Sequence, residues 1–336
     1  MAVRPEQVPQ FTLRNGMKIP CIGIGTFGSD RVSAADVANA VDGAIKCGYR
    51  LIDCAAAYGN EKEIGEVIQK NIADGTVKRE DLFVMSKIWN NRHREVEQAC
   101  EQTIADLKCD YLDILFIHWP FPNYHAPGCD GDARNPDSKP FSVAEFMDTY
   151  RQIEALVKKG RVKAIGISNL TIPKLEQVKD FYEFPPVAME TELHPCFQQQ
   201  ELFEYLVAHE IFPIGFMPLG SPRRPERDIF STDLEDMKQP ELVAIAKAHN
   251  CHPATVCLKW ARQRGVLTIP FSVHNYESNL ESTVTEPLTD EEMAVMATLE
   301  RGNRLVKGQV FLWPGAKDWH DLWDEEGFIV DCPDAK

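Results

Sequence analysis

Basic charge is in short supply in this chain. Its 36 lysines and arginines stand against 51 aspartates and glutamates, a net charge of −15 over 336 residues. Nucleic-acid binding needs a basic footprint, so no nucleic-acid partner is expected, although a small anionic cofactor can still be held locally. Long apolar runs are missing too: none approaches the roughly 18 residues that a membrane helix requires. The opening Met1-Ala-Val-Arg-Pro-Glu-Gln-Val-Pro-Gln10 is polar and has no signal-peptide core. The expectation is a cytoplasmic protein with no membrane partner. No pair among the ten cysteines has zinc-finger spacing, Cys251-His252 stands alone, and the nine histidines are scattered. No metal is therefore expected, and the cysteines read as reduced thiols. The third glycine of a dinucleotide fingerprint is absent after Gly23-Ile-Gly25, which disfavours a Rossmann domain. No Ser/Gly/Pro-rich linker divides the chain. One domain over 1–336 is expected, with its body at about 11–300 and a C-terminal extension at 301–336.

What is present is a repeated alternation of strand and helix. Phe11 to Ile19 reads as a hairpin around Asn15-Gly16, able to plug one end of a barrel. Ile22-Gly-Ile-Gly-Thr26 is a first strand, Ser33 caps a helix to about Cys47, and Gly48 stops it. Strands at 49–53, 82–87, 112–118, 162–167, 186–190, 211–216 and 266–270 follow. Between them lie helical patterns at 61–70, 94–107, 143–159, 171–180, 198–209, 240–249 and 253–263. Eight strand–helix units argue for parallel strands covered by helices, and a closed (β/α)8 TIM barrel fits them better than an open sheet. Pro120 to Ser142 breaks the rhythm with five prolines and two glycines. A long loop after the fourth strand belongs over the active face as a wall or lid, unless it is a tolerated insertion. Beyond Gly302, Val310-Phe-Leu-Trp-Pro-Gly and Trp319-His-Asp-Leu-Trp-Asp hold three of the six tryptophans. Their rings either fold over the barrel mouth or pack on the outer helices.

Three of these strands deliver an ionisable residue at their carboxyl ends: Asp53, Lys87 and His118. In a parallel barrel those ends share the face where chemistry is done. Tyr58 follows Asp53 by five residues. A phenol with its ordinary pKa near 10 is a poor acid at neutral pH, and a neighbouring ammonium favours its anion. A carboxylate beside that ammonium keeps it charged. Tyr58, Lys87 and Asp53 form such a relay, with His118 orienting a substrate oxygen. The set suits protonating a carbonyl oxygen as hydride arrives, or the reverse. Each residue alone has a plainer explanation in packing or pairing; four together at strand ends do not.

The runs Asp53-Cys-Ala-Ala-Ala-Tyr-Gly-Asn-Glu61, Ser86-Lys-Ile-Trp89 and Asp113-Ile-Leu-Phe-Ile-His-Trp-Pro120 resemble the aldo-keto reductases. So do Gly160-Arg-Val-Lys-Ala-Ile-Gly-Ile-Ser-Asn169, Glu192-Leu-His-Pro195 and Met217-Pro-Leu-Gly-Ser-Pro222. The resemblance spans residue 11 to about 300. It implies a (β/α)8 barrel that binds a nicotinamide dinucleotide, and a tetrad of Asp53, Tyr58, Lys87 and His118 with Tyr58 as general acid. Thr26, Asp53, Ser168, Asn169, Glu190, Phe216, Leu219, Gly220 and Ser221 fall at its cofactor positions. Glu190 stands where glutamine is usual, and an ionised carboxylate accepts hydrogen bonds but donates none. Phe216 stands where tyrosine is common. Phe271, Ser272 and Asn279 occupy the segment that normally carries a lysine and an arginine for the 2′-phosphate of NADPH. Both cations are missing here, so NADP(H) is the family default and NAD(H) the alternative, with Arg223 or Arg224 as possible substitutes. Ser272 and Asn279 also suit an ordinary capping segment. Phe27, Ala57, Trp89, His118 and Trp119 are implied to line an apolar substrate pocket.

The leading expectation is an NAD(P)H-dependent oxidoreductase acting on an aldehyde, ketone or sugar carbonyl, or on the corresponding alcohol. A nicotinamide-binding sensor or regulatory subunit is the alternative from a different class. A metal-dependent barrel hydrolase using Asp53 and His118 lacks a ligand cluster.

Overall fold

Period-two alternation along each strand decides which side chains enter the middle of this molecule. A computed structural model describes residues 3–122, 135–220 and 223–325. The chain begins with an antiparallel hairpin, β1 (Gln10–Thr12) and β2 (Lys18–Pro20), in which Phe11 pairs with Ile19. Gly16, at φ +84°, takes the left-handed turn position that favours glycine. Eight strands follow in one parallel sheet: β3 (Ile24–Gly25), β4 (Leu51–Asp53), β5 (Phe83–Ile88), β6 (Leu112–Ile117), β7 (Val162–Ser168), β8 (Ala188–Glu192), β9 (Phe212–Phe216) and β10 (Leu267–Thr268). Each pairs with its successor, and a parallel bridge between Ile22 and Thr268 joins the last strand to the first. The expected (β/α)8 barrel is therefore what the chain forms.

Helices cover the outside: α1 (Ala34–Cys47), α2 (Glu61–Ala73), α3 (Val96–Asp106), α4 (Val143–Lys158), α5 (Ile172–Val178) and α6 (Gln200–Ala208), then α7 (Pro240–Ala248), α8 (Pro253–Gln263), α9 (Tyr276–Glu281) and α10 (Asp290–Ala297). The Ser33 hydroxyl accepts from the Asp36 amide at the start of α1, and Gly48 at φ +123° ends it, both as expected. Helices α9 and α10 lie beyond the helices read from the sequence, and the segment read as helix-capping leads into α9.

Two apolar compartments result. Leu51, Phe83, Met85, Ile114, Phe116, Ala164, Ala188, Ile214 and Leu267 fill the barrel, joined by Leu13 and Ile19 of the hairpin, which plugs the amino-terminal end. Ile52, Val84, Ile88, Leu115 and Ile117 point the other way, toward the helices. Gly166 belongs to this packing: a Cβ there would lie 2.2 Å from the Phe116 ring. Continuing the inward parity past the last apolar layer places Asp53, Lys87, His118, Ser168, Glu190 and Phe216 at the carboxyl-end mouth.

Residues 123–134 of the long loop lie outside the described residues. Its described ends, Phe121 and Phe141, are buried. Among the described residues, no helix is long and apolar enough to cross a membrane.

Candidate active site

The first ion at the mouth is fixed by burial. Lys87 is 1% exposed and ends the inward face of β5. Its Nζ donates to Asp53 Oδ1 at 2.6 Å and to the Cys54 carbonyl at 3.0 Å, and lies 3.3 Å from Glu190 Oε1. Burial works against the ammonium, but Asp53 and Glu190 together hold its pKa well above the ordinary lysine value. Lys87 is therefore charged at neutral pH. Burial also raises the Asp53 carboxyl, with Lys87 opposing.

Tyr58 sits on a short 3-10 turn, Ala56–Tyr58, directly after β4. Its ring is half-buried, and its centroid is 5.3 Å from Lys87 Nζ. The ring meets Phe27 at 5.1 Å and the His118 imidazole edge-on at 5.7 Å. The tetrad read from the sequence thus converges on one spot. One expectation needs correcting. Burial lifts the phenol above its ordinary pKa; Lys87 pulls it down, while Asp53 and Glu190 push it up. The ammonium is shared between two carboxylates, so its pull on the phenol is diluted. Tyr58 therefore holds its proton firmly at neutral pH, the state a general acid starts from. His118 is neutral as well, its pKa driven far down by burial, by Lys87 and by His93. Its Nδ1 is buried without a partner.

Glu190 departs from its expected state. Burial, then Asp53, raise its carboxyl to about 8 against the pull of Lys87. The shift favours the protonated carboxyl, which can donate a hydrogen bond as well as accept one. Oε2 is buried with no partner. Next door, directly after β7, Asn169 uses its amide nitrogen on the His118 carbonyl at 2.9 Å and on Ser168 Oγ at 3.1 Å, leaving Oδ1 buried and unpartnered. Asn169 has φ 60°, a left-handed conformation that asparagine tolerates better than most residues. Unpaired buried polar atoms cost free energy, so these three atoms around one mouth mark a place built for a polar ligand.

The remaining sequence-read positions divide. Thr26 is buried; its hydroxyl donates to the Asp53 carbonyl at 2.8 Å, which holds the end of β4 in place. Phe216 ends β9 half-buried, and Leu219 is half-buried behind it. Gly220, at φ +50°, packs where a Cβ would lie 2.0 Å from Asp236 Oδ1. Ser221 lies outside the described residues. Arg223 is exposed, and its carbonyl accepts from Ser29 Oγ at 3.2 Å. Arg224 is not at the surface as a spare cation: it is buried, with its guanidinium on Asp233 and its Nε on the Asp228 carbonyl. Phe271 packs against the outer core, and Ser272 Oγ accepts from the His274 and Asn275 amides, closing a local turn ahead of α9. Asn279 is buried inside α9.

The C-terminal extension settles its own question. Phe311 packs on Trp119 at 4.5 Å and on Trp89 at 5.8 Å, and Trp323 lies 5.7 Å from Trp119. Trp89 in turn meets His118 at 5.0 Å. The tail is anchored by Asp324, which binds Lys174 at 2.5 Å and Thr171, and by Trp323 Nε1 donating to the Lys307 carbonyl. Phe311 of the tail is thus one ring removed from the tetrad, through Trp89, while Trp323 packs on Trp119. Trp119 is buried beneath them, and Ala57 remains exposed at the rim.

A second buried cluster takes two residues from the Glu192-Leu-His-Pro195 run and a third, Asp236, that the sequence did not connect to them. His194, fully buried, lies between Asp236 Oδ2 at 2.8 Å and Glu192 Oε1 at 3.1 Å. Glu192 also accepts from the Leu305 and Val306 amides, and Asp236 from the Cys196 amide. Burial opposes the imidazolium, but the two carboxylates raise it to about 9. The cluster ties β8, the loop behind Gly220 and the start of the tail into one unit. Among the described residues, no group of three or more His, Cys, Asp or Glu could hold a metal ion.

Known proteins resemble this chain in sequence and fold. The Aldo/keto reductase family model matches residues 21–301. An aldo/keto reductase of Synechocystis sp. is 38% identical over 331 residues, covering 96% of this chain and 98% of that one. Aldo-keto reductase family 1 member A1-A of Danio rerio is 36% identical over 317 residues, 93% of this chain and 95% of its own. Among solved structures, a Bombyx mori aldo-keto reductase in complex with NADP superposes with a TM-score of 0.78 at 27% identity, covering 91% of this chain and 96% of that one. On the family match and on these identities over nearly full length, the chain belongs to the aldo/keto reductase family, a family of oxidoreductases.

Proposed function

We propose that the barrel and its tail work as one unit, a cytoplasmic NAD(P)H-dependent oxidoreductase that reduces an aldehyde, ketone or sugar carbonyl to the alcohol, or runs the reverse. The observation that carries this reading is the buried Lys87–Asp53 pair at 2.6 Å with the Tyr58 ring beside it and His118 on its edge. A nicotinamide dinucleotide, when bound, supplies or accepts the hydride. The free Asn169 Oδ1 and Glu190 Oε2 suit the donors and acceptors of a carboxamide, with Ser168 beside them, Phe216 offering a flat face, and Thr26 and Asp53 closing the floor. Leu219, Gly220, Ser221 and Arg223 would follow the pyrophosphate, and Phe271, Ser272 and Asn279 the adenosine end.

The protein's own groups divide the remaining work. Tyr58 gives its phenolic proton to the substrate oxygen, and Lys87, held charged by Asp53, stabilises the phenolate that remains. Neutral His118 has one N–H with which to fix the carbonyl oxygen. Phe27, Ala57, Trp89, Trp119 and the tail rings exclude water and present apolar faces to the substrate body.

The adenosine end favours no strong choice between dinucleotides. The silkworm structure was solved with NADP, but this chain has neither lysine nor arginine from Phe271 to Asn279. The reading is that NADP(H) binds without strong selection over NAD(H). Phe271→Lys adds a charge-assisted partner for the 2′-phosphate and should raise the NADPH/NADH ratio of kcat/KM by about tenfold. An unchanged ratio would mean that this segment does not meet the phosphate.

Consumption of reduced dinucleotide by an aldehyde, ketone and aldose panel tests the reading as a whole. Turnover with at least one class supports it, and none with any class sinks it.

A further inference from the structure

Glu190 has a feature that no packing role uses. It is 2% exposed, with Oε1 3.3 Å from Lys87 Nζ and Oε2 buried without a partner. Asp53 at 2.6 Å and the Cys54 carbonyl at 3.0 Å take two of the three ammonium hydrogens, and Glu190 meets Lys87 through Oε1 alone, at longer range. Two carboxylates against one ammonium leave a surplus negative charge whenever both are ionised. The charged and titratable groups facing Glu190 are Lys87 from β5, Asp53 from β4 and Tyr58 from the turn after β4. The end of β7 and the residue after it bring only uncharged Ser168 and Asn169, the latter donating its backbone amide to the Glu190 carbonyl at 3.1 Å. Strand β9 pairs there through Ile214.

A buried surplus charge is costly, and two things relieve it: a proton on the carboxyl, or a cation beside it. The first is favoured in the free protein, where burial and Asp53 raise the carboxyl against the pull of Lys87. The second depends on the ligand. An oxidised nicotinamide ring carries one positive charge, and a reduced ring carries none. We propose that Glu190 discriminates between the two redox forms of the cofactor, keeping its proton beside the neutral reduced ring and releasing it when the cationic oxidised ring binds. The inference rests on the nicotinamide reading above. Its consequence is a proton-linked preference: the oxidised form binds more tightly as pH rises, and the reduced form does not.

Quenching of intrinsic tryptophan fluorescence gives Kd for both redox forms without turnover, in wild type and in Glu190→Gln. In wild type, Kd for the oxidised form should tighten at least about fivefold between about pH 6 and pH 8, with a limit of about tenfold per unit for one linked proton. Kd for the reduced form should stay flat or weaken over that range. In Glu190→Gln, which keeps the shape and loses the charge, the oxidised form should bind with no such slope. A wild-type ratio of the two Kd values that does not change with pH would overturn the proposal, and so would a slope that survives in the variant. The wild-type series stands alone if the variant folds poorly. Failure of the wild-type protein to bind either form would instead remove the nicotinamide reading, and this proposal with it.

Discussion

Tyr58→Phe is expected to lower kcat for carbonyl reduction by about 10²–10⁴-fold, the range of a lost general acid, while leaving dinucleotide affinity almost unchanged. The substitution removes one oxygen and keeps the ring that packs on Phe27 and His118. Lys87 keeps Asp53 and the Cys54 carbonyl, so the charge at the mouth is preserved. Lost catalysis with intact binding is therefore the signature of a missing proton donor rather than of a collapsed site. Steady-state turnover and fluorescence-quenching Kd on the same preparation separate the two. A Tyr58→Phe protein with near wild-type kcat would take the acid role away from this residue.

The second large effect is on stability. His194→Ala leaves Glu192 and Asp236 facing one another across the space of an imidazolium, both fully buried. Breaking a buried ion pair by removing one partner costs about 3–5 kcal/mol, and here one cation serves two anions. Chemical denaturation should show that loss, together with loosening of the tail through Leu305 and Val306. The pH dependence has a definite sign. The folded pKa, about 9, is above the ordinary histidine value of 6.5. The stabilisation is thus fully present below about pH 6.5 and fades as pH rises through about 9. His194→Gln, which can bond but cannot charge, should flatten the stability profile between about pH 7 and 9. If wild type and His194→Gln lose stability in parallel over that interval, the imidazolium is not what holds the cluster.

The difference between these two sites shows what a linear chain can disclose. Asp53, Lys87 and His118 were legible because each extends an apolar strand whose inward parity is already set by Leu51, Met85 and Phe116. Barrel closure then brings the three ends together without further information. Tyr58 was legible by its short distance from Asp53. Lys87 and Glu190 share no local pattern, and their contact at 3.3 Å exists only because β5 and β8 face one another across a closed barrel. The phenol's pKa moves opposite to the direction expected from Lys87 alone chiefly because the site is buried, with Asp53 and then Glu190 adding to the rise. Asp236 lies in a loop of mixed charge and no periodicity, so nothing pointed from it to His194. Helix α9 has six residues, too few for a periodic signal. The tail aromatics were visible as a cluster, but rings in irregular backbone carry no direction. Only the anchoring of Asp324 on Lys174 and Thr171 turns them toward the mouth.

The most direct check of the whole is a stoichiometry. Wild-type protein, with a metal chelator present, would be given reduced dinucleotide and the best carbonyl of the panel, and both the dinucleotide consumed and the alcohol formed would be counted. Expected is one alcohol for each dinucleotide oxidised, at a rate that the chelator does not alter. Dinucleotide loss without alcohol, or no loss with any aldehyde, ketone or aldose, would contradict a barrel whose buried lysine and tyrosine serve carbonyl reduction.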